Sequence, residues 1–482
     1  MTFSTISFKR TKNLSSLLFI LLVLCCEPAH MQEANTSDDP RTQKVDKLFR
    51  QVDKEGSPGA AVAIVQDGKV IYKKGYGLAN LEYDIPNTPT TIFHIASVSK
   101  QFTCFAAQLL VEEGKISMED DVRKYIPEVP DFGKTITLRH LANHTSGMRD
   151  QWNLLALAGW RLDDVITKEH IMKLVEKQEE LNFEPGEEYR YCNTGYTLLA
   201  VVVSRVSGMS FADFTQKRIF EPLGMESTLF YDDHEKIVPN RAYSYAPDVD
   251  GFRKVGLSYA NVGATSLFTT VEDLALWALN FEDPKVGNDD TFREMHTQGI
   301  LNSGDTIDYA LGQVINQYRG LNRVSHGGAD AGYRTTISRF PDQRFSVVIF
   351  SNYGSFNPSW KANQVADIYL EDEFTEPRQA FRGNQPPQPE EVPMPGTLQD
   401  YVGVYYSPEL STDYEIKIKE GALVVEHMRH PNVSLGHRTG DLFRSNAWYM
   451  GDVQFTRAPD GKVNGYTVNS GRVSGLKFAK MK

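Results

Sequence analysis

Cysteine is scarce in this chain of 482 residues: Cys25, Cys26, Cys104 and Cys192 are the only four. Two fall inside an apolar N-terminal segment, and the remaining pair is too small for a disulfide framework. Cys104 and Cys192 therefore read as free, buried thiols, and no surrounding motif makes either a nucleophile. Basic clusters are missing too. Lys and Arg number 51 against 62 Asp and Glu, a net charge of −11, which argues against nucleic acid as a partner. No set of His, Asp and Glu has metal-ligand spacing, so neither metal nor cofactor is expected. The stretch from Leu14 to Cys26, apolar apart from two serines, is shorter than the roughly 20 residues a membrane span needs. Preceded by Lys9, Arg10 and Lys12, it reads as a targeting leader over residues 1–29. Three fates stay open. Cleavage near Ala29 is one, with Glu27 a poor fit. A lipid on Cys25 or Cys26 is another, with Leu24 fitting badly. An uncleaved anchor is the third. The expected location is secreted or periplasmic, at the cell envelope, with membrane contact only through a lipid or signal anchor.

What is present points to chemistry. Ser97-Val98-Ser99-Lys100 stands where an amphipathic run begins, with Phe102, Phe105, Ala106, Leu109 and Leu110 spaced for one helical face and Gly114 as a stop. One helical turn brings residues three apart together. A buried lysine amine beside a serine hydroxyl can lose its proton and take the serine's. The bland alternative is an N-cap serine and a solvated lysine. A second Ser-x-x-Lys, Ser474 to Lys477, lies in an alternating strand-like run with no helix to follow.

Two further motifs matter. Tyr191-Cys192-Asn193 follows the Pro185-Gly186 turn and precedes an apolar helical run from Tyr196 to Val206. A tyrosine there can hold or pass a proton, and the asparagine amide can bond both lysine and substrate. Tyr259-Ala260-Asn261 has similar letters but no Pro-Gly lead-in. His326-Gly327-Gly328 precedes two strand-like runs, 334–340 and 344–352, that read as a hairpin, with glycines where a substrate backbone can come close.

Ser-x-x-Lys, Tyr-x-Asn and His-x-Gly in that order resemble the serine β-lactamase and penicillin-binding protein superfamily. The nearest branch is that of class C β-lactamases, D-alanyl-D-alanine carboxypeptidases, D-aminopeptidases and esterases. Flanking stretches agree: Leu141 to Gly147, Phe183 to Gly186, and, with a departure from the usual glycine pair, Gly263 to Leu274. The resemblance implies that Ser97 is the nucleophile, Lys100 the first candidate base and Tyr191 the second. It implies that Asn193 orients Lys100 and binds a substrate amide. His326 takes the place of the family's third-motif lysine, binding a substrate carboxylate or tuning Tyr191. Gly328 and Ala329 complete the substrate-binding set, with the N–H groups of Ser97 and Ala329 as the oxyanion hole. His144 is read as a structural brace. Histidine is mostly neutral above a pKa of about 6.5, so anchoring of a β-lactam carboxylate should be weak.

The implied fold is α+β: a β-lactamase-like catalytic domain, an antiparallel sheet flanked by helices plus a helical lobe, followed by a small antiparallel β-barrel-like domain. Residues 30–45 read as a flexible linker and 46–375 as the hydrolase domain. The Pro-rich linker spans 376–396. Residues 397–482 form short alternating runs that resemble the lipocalin-like accessory domains of some D-aminopeptidase and esterase relatives. The expected function is a secreted or envelope serine hydrolase, D-aminopeptidase- or carboxypeptidase-like or an esterase, acting through an acyl-enzyme on a peptide, amide or ester; its partners are a small-molecule or peptide substrate and cell-wall material. The alternatives are a weak β-lactamase and a non-catalytic penicillin-binding-like sensor or binding protein.

Overall fold

The structure, a computed structural model, describes residues 39–378 and 392–482. The leader over 1–29 and most of the Pro-rich linker lie outside those residues. The stretch read as a linker over 30–45 is corrected in its last part, which is helical. Helix α1 spans Pro40–Phe49. Asp39 caps it by accepting from the Arg41 N–H at 2.8 Å, and Pro40 at the first helical position costs no hydrogen bond. Thr42, Val45 and Phe49 fall on its buried face.

The central sheet joins the two ends of the catalytic region. Its strands are β1 (Ala60–Gln66), β2 (Lys69–Tyr76), β3 (Val314–Tyr318), β4 (Leu321–Asp330), β5 (Tyr333–Phe340) and β6 (Phe345–Ser351), in the order β3-β4-β5-β6-β1-β2. All neighbours are antiparallel. Asp67 and Gly68 turn β1 into β2 with φ of 51° and 76°, the two positive values that a tight hairpin requires. Alternation along β1 sends Ala60, Val62 and Ile64 to one face and Ala61, Ala63 and Val65 to the other. The first set packs with α1 and with the Pro358–Tyr369 helix. The second set joins the core of the helical lobe. A strand buried on both faces explains its unbroken apolar run.

The C-terminal region is a closed barrel of eight antiparallel strands, from Gly403–Ser407 to Val473–Lys480. The first and last strands pair at Tyr405 and Lys480. Side chains fill its interior: Tyr401, Tyr405, Phe443, Phe455, Tyr466 and Phe478 are buried and in ring contact. The barrel is fastened to the helical lobe. Glu409 pairs with Arg149 at 2.6 Å, both almost wholly buried. The Tyr414 hydroxyl donates to the Leu157 carbonyl at 3.0 Å. Among the described residues no single helix is long and apolar enough to cross a membrane.

Candidate active site

Ser97 sits in a 3-10 turn, Ala96–Val98, that runs into the helix Ser99–Glu112. Ala96 has φ 49°, a conformation costly for a residue with a Cβ and typical of sites where geometry is imposed. Two bonds of Ser99 hold the turn. Its hydroxyl donates to the Ala96 carbonyl at 2.5 Å and accepts the Leu267 N–H at 3.1 Å. The helix buries Phe102, Phe105, Ala106, Leu109 and Leu110, as its spacing predicts, and ends at Gly114 with φ 66°.

Lys100 is fully buried behind Ser97. Its Nζ donates to Asn193 Oδ1 at 2.8 Å and to the Ala264 carbonyl at 2.7 Å, and lies 3.2 Å from Ser97 Oγ. Burial pulls the ammonium down to about 7, against smaller opposing pulls from Asp330 and Asp150. A neutral amine has two hydrogens and one lone pair. The two acceptors use the hydrogens, which leaves the lone pair facing the Ser97 hydroxyl. The Asn193 amide is oriented from behind. Asp150, also fully buried, accepts from Asn193 Nδ2 at 2.8 Å and from the Asn193 N–H at 2.7 Å. That contact assigns Oδ1 to the lysine side.

Tyr191 approaches from the start of the Asn193–Ser207 helix. Its ring lies 5.0 Å from Lys100 Nζ. Burial pushes the phenol well up, and a hydrogen bond with Ser97 opposes the shift. The phenol is therefore protonated at neutral pH. His144 stacks on Tyr191 at 4.1 Å, and its Nδ1 accepts the Cys192 N–H at 3.0 Å. Burial holds it neutral, so it braces Tyr191 and carries no charge.

His326 corrects one expectation. Its Nδ1 donates to the Gly327 carbonyl at 2.7 Å, and its Nε2 accepts from the Tyr309 hydroxyl at 2.9 Å. Burial lowers its pKa to about 3. Both nitrogens are engaged within the protein and the ring is neutral, so it offers no charge to a substrate carboxylate. Two residues on, Gly328 lies against the serine turn. A Cβ there would meet the Ile95 carbonyl oxygen and Thr335 Oγ1 at 2.3 Å each. Only glycine lets β4 come this close to Ser97. Beyond Ser325, where β3 stops pairing, residues 326–330 of β4 pair only with β5.

These groups surround a cavity of about 400 Å³, and every expected site residue except the buried Lys100 lines it. The two look-alike motifs are elsewhere. Asn261 bonds Thr197 and Tyr259 stacks on Trp152, while Ser474 and Lys477 sit on the last barrel strand. Cys104 and Cys192 are free and buried, their thiols pushed up to about 12 by desolvation and so unreactive. No group of three or more His, Cys, Asp and Glu among the described residues is arranged to hold a metal.

Sequence reasoning missed four contributors. Asp150 had one local signal, as the N-cap of the helix Gln151–Leu157. The Ala264 carbonyl had none. Asp330, on the cavity wall, is held by His94 at 2.9 Å and by Thr265. Arg472 comes from the barrel, and its guanidinium lies 4.9 Å over the Tyr191 ring.

Comparison with known proteins finds relatives over the catalytic region. Residues 45–369 match the Beta-lactamase family. The chain is 32% identical over 332 residues to a penicillin-binding protein of Bacillus subtilis, covering 63% of this chain and 70% of that one. It is 29% identical over 314 residues to a D-aminopeptidase of Gluconobacter oxydans, covering 65% of this chain. It spans 58% of that relative's length. Among solved structures, an octameric penicillin-binding protein homologue from Pyrococcus abyssi has a TM-score of 0.61 at 23% identity, over 91% of this chain and 100% of that one. At that identity the likeness concerns the fold, and its extent takes in part of the barrel.

Proposed function

Because the chain belongs to the Beta-lactamase family, we propose that it is a serine hydrolase that cleaves a peptide, amide or ester through an acyl-enzyme on Ser97. The observation that carries this is the state of Lys100: buried, close to Ser97 Oγ, and bonded to two neutral acceptors. A solvated helix lysine has no need of that environment. With a pKa of about 7, a large fraction is free base at neutral pH, near the optimum for a general base.

Ser97 Oγ attacks the substrate carbonyl carbon as its proton passes to Lys100 Nζ. The carbonyl oxygen gains the negative charge and is held by the N–H groups of Ser97 and Ala329. Each such donor contributes roughly 3–4 kcal/mol in the transition state. Collapse expels the leaving group, which takes a proton from the Tyr191 hydroxyl, and Lys100 returns its proton to Tyr191. Water then attacks the acyl carbon as Lys100 accepts its proton, and collapse frees the acid and Ser97, whose Oγ takes that proton back from Lys100. The unpaired side of β4 at residues 326–330 suits an extended substrate chain laid beside it. The D-aminopeptidase name of one relative favours peptides or amides, while the neutral His326 disfavours efficient β-lactam hydrolysis. The basic-then-apolar segment over residues 9–26 supports export to the envelope.

The test is turnover of p-nitrophenyl acetate by the protein beside its Ser97→Ala variant, with intact-mass detection of an acyl adduct. Loss of turnover and adduct in the variant supports the proposal. Equal rates in both would overturn it and leave a binding protein as the better account.

A further inference from the structure

We infer that Arg472, on a turn of the C-terminal barrel, reads a carboxylate on the substrate; this rests on the Ser97 hydrolase proposed above. The turn joins the strands Val463–Ser470 and Val473–Lys480 and is seated on the catalytic lobe by bonds that do not involve the Arg472 side chain. The Arg472 carbonyl accepts from the Asp150 N–H at 3.3 Å and from Asn182 Nδ2 at 3.1 Å. The Ser474 N–H donates to Asn182 Oδ1 at 2.8 Å, and Ser470 Oγ accepts from Asn153 at 3.1 Å. These contacts fix where the side chain begins. It then reaches along Tyr191 into the cavity that holds Ser97.

The guanidinium arrives there without a committed partner. Its nearest carboxylate is Asp150, at 4.0 Å, and the facing Oδ2 is already taken by the two donors of Asn193. The Arg472 side chain is 44% exposed, whereas Asp150 is fully buried. A cation held in this way keeps several donors free in a planar fork, the geometry that matches a carboxylate.

No other group on the cavity wall supplies that charge. His326 is neutral and has both nitrogens engaged. Lys100 is buried behind Ser97 and does not line the cavity. The one lining carboxylate, Asp330, is occupied by His94 and Thr265. The cation at this cavity therefore comes from a turn of the barrel and not from the strand that carries His326. An acidic substrate is oriented by the barrel, on the Tyr191 and Asn193 side of the cavity.

The experiment uses the full chain and three esters: neutral phenyl acetate, 3-acetoxybenzoate with its carboxylate on the leaving side, and phenyl hydrogen glutarate with its carboxylate on the acyl side. At least one acidic ester should exceed phenyl acetate in kcat/KM by about tenfold, mainly through KM. Arg472→Gln should erase that ratio and Arg472→Lys should keep part of it. Arg472 also opposes the charge on Lys100, so the rate of the Gln variant should rise at higher pH than that of the parent. The docking bonds are made by the Arg472 carbonyl, the Ser474 N–H and Ser470 Oγ, none of which the substitution removes. In the unmodified protein, benzoate should inhibit phenyl acetate turnover where benzamide does not. An unchanged acid-to-neutral ratio in Arg472→Gln, no acid preference in the parent, or equal inhibition by benzoate and benzamide would overturn the inference. Failure of the Ser97 proposal looks different: phenyl acetate turnover would survive Ser97→Ala.

Discussion

Ser97-Val98-Ser99-Lys100 and Ser474-Gly475-Leu476-Lys477 share their outer letters and nothing else. The first pair opens a helix, where three residues make about one turn and both side chains meet. The second lies on a barrel strand broken by a bulge at Gly475, φ 67°, where no helical turn brings the two side chains together. Lys100 is sealed from water and loses much of its affinity for a proton. The Lys477 side chain is 62% exposed and pairs with Glu180 at 2.6 Å. Ser97 faces a cavity, while Ser474 Oγ accepts from Arg190 at 2.6 Å. Reactivity here is a property of environment, and the spacing matters only through the periodicity that carries it.

That contrast can be broken in graded steps. Lys100→Met removes the base while keeping the volume buried, and ester turnover should fall by about 10²–10⁴-fold. An undiminished rate would show that another group takes the serine proton. Next in size is Gly328→Ala. The added methyl meets the Ile95 carbonyl and Thr335, β4 must move off the serine turn, and kcat should fall by about 10²-fold as the oxyanion donor at Ala329 shifts. Thermal unfolding should register an overpacking cost of about 1–3 kcal/mol.

The parent's pH profile is a finer probe. The free amine is the working form and its conjugate acid has a pKa of about 7. The kcat/KM for a neutral ester should rise through about pH 7 and fall tenfold per unit below it. A profile flat from pH 5 to 8 would exclude Lys100 as the titrating base. The smallest effect belongs to the second motif. Lys477→Gln loses one exposed ion pair, so stability should move by less than about 1 kcal/mol, with activity unaltered. A large loss of activity there would undo the contrast.

Much of the site was legible because its residues lie in short motifs whose local structure follows from the chain. The helical spacing after Ser97, the Asp67-Gly68 turn and the Pro185-Gly186 lead-in each specify local geometry. What escaped was set by distant packing. Asp150 holds the Asn193 amide across 43 residues of sequence, and Arg472 belongs to a barrel whose docking turn no linear pattern marks. His326 was legible as a residue but not as a state. Its neutrality depends on Tyr309 and on burial, both products of the folded chain. The start of α1 was overlooked because Arg41 to Lys47 is polar except at Val45, and its buried face rests on few residues.

The buried pair of Arg149 and Glu409 has a consequence for how the barrel reaches the catalytic lobe. Arg149 directly precedes Asp150, the residue that orients Asn193. Within the lobe that guanidinium has only Glu180, at 3.9 Å, and its close partner follows 260 residues later. A bare charge in that interior costs several kcal/mol. Arg149 is therefore buried and paired only where the barrel meets the lobe. The barrel thus reaches Asn193 through one side chain, Arg149, whose neighbour Asp150 holds that amide.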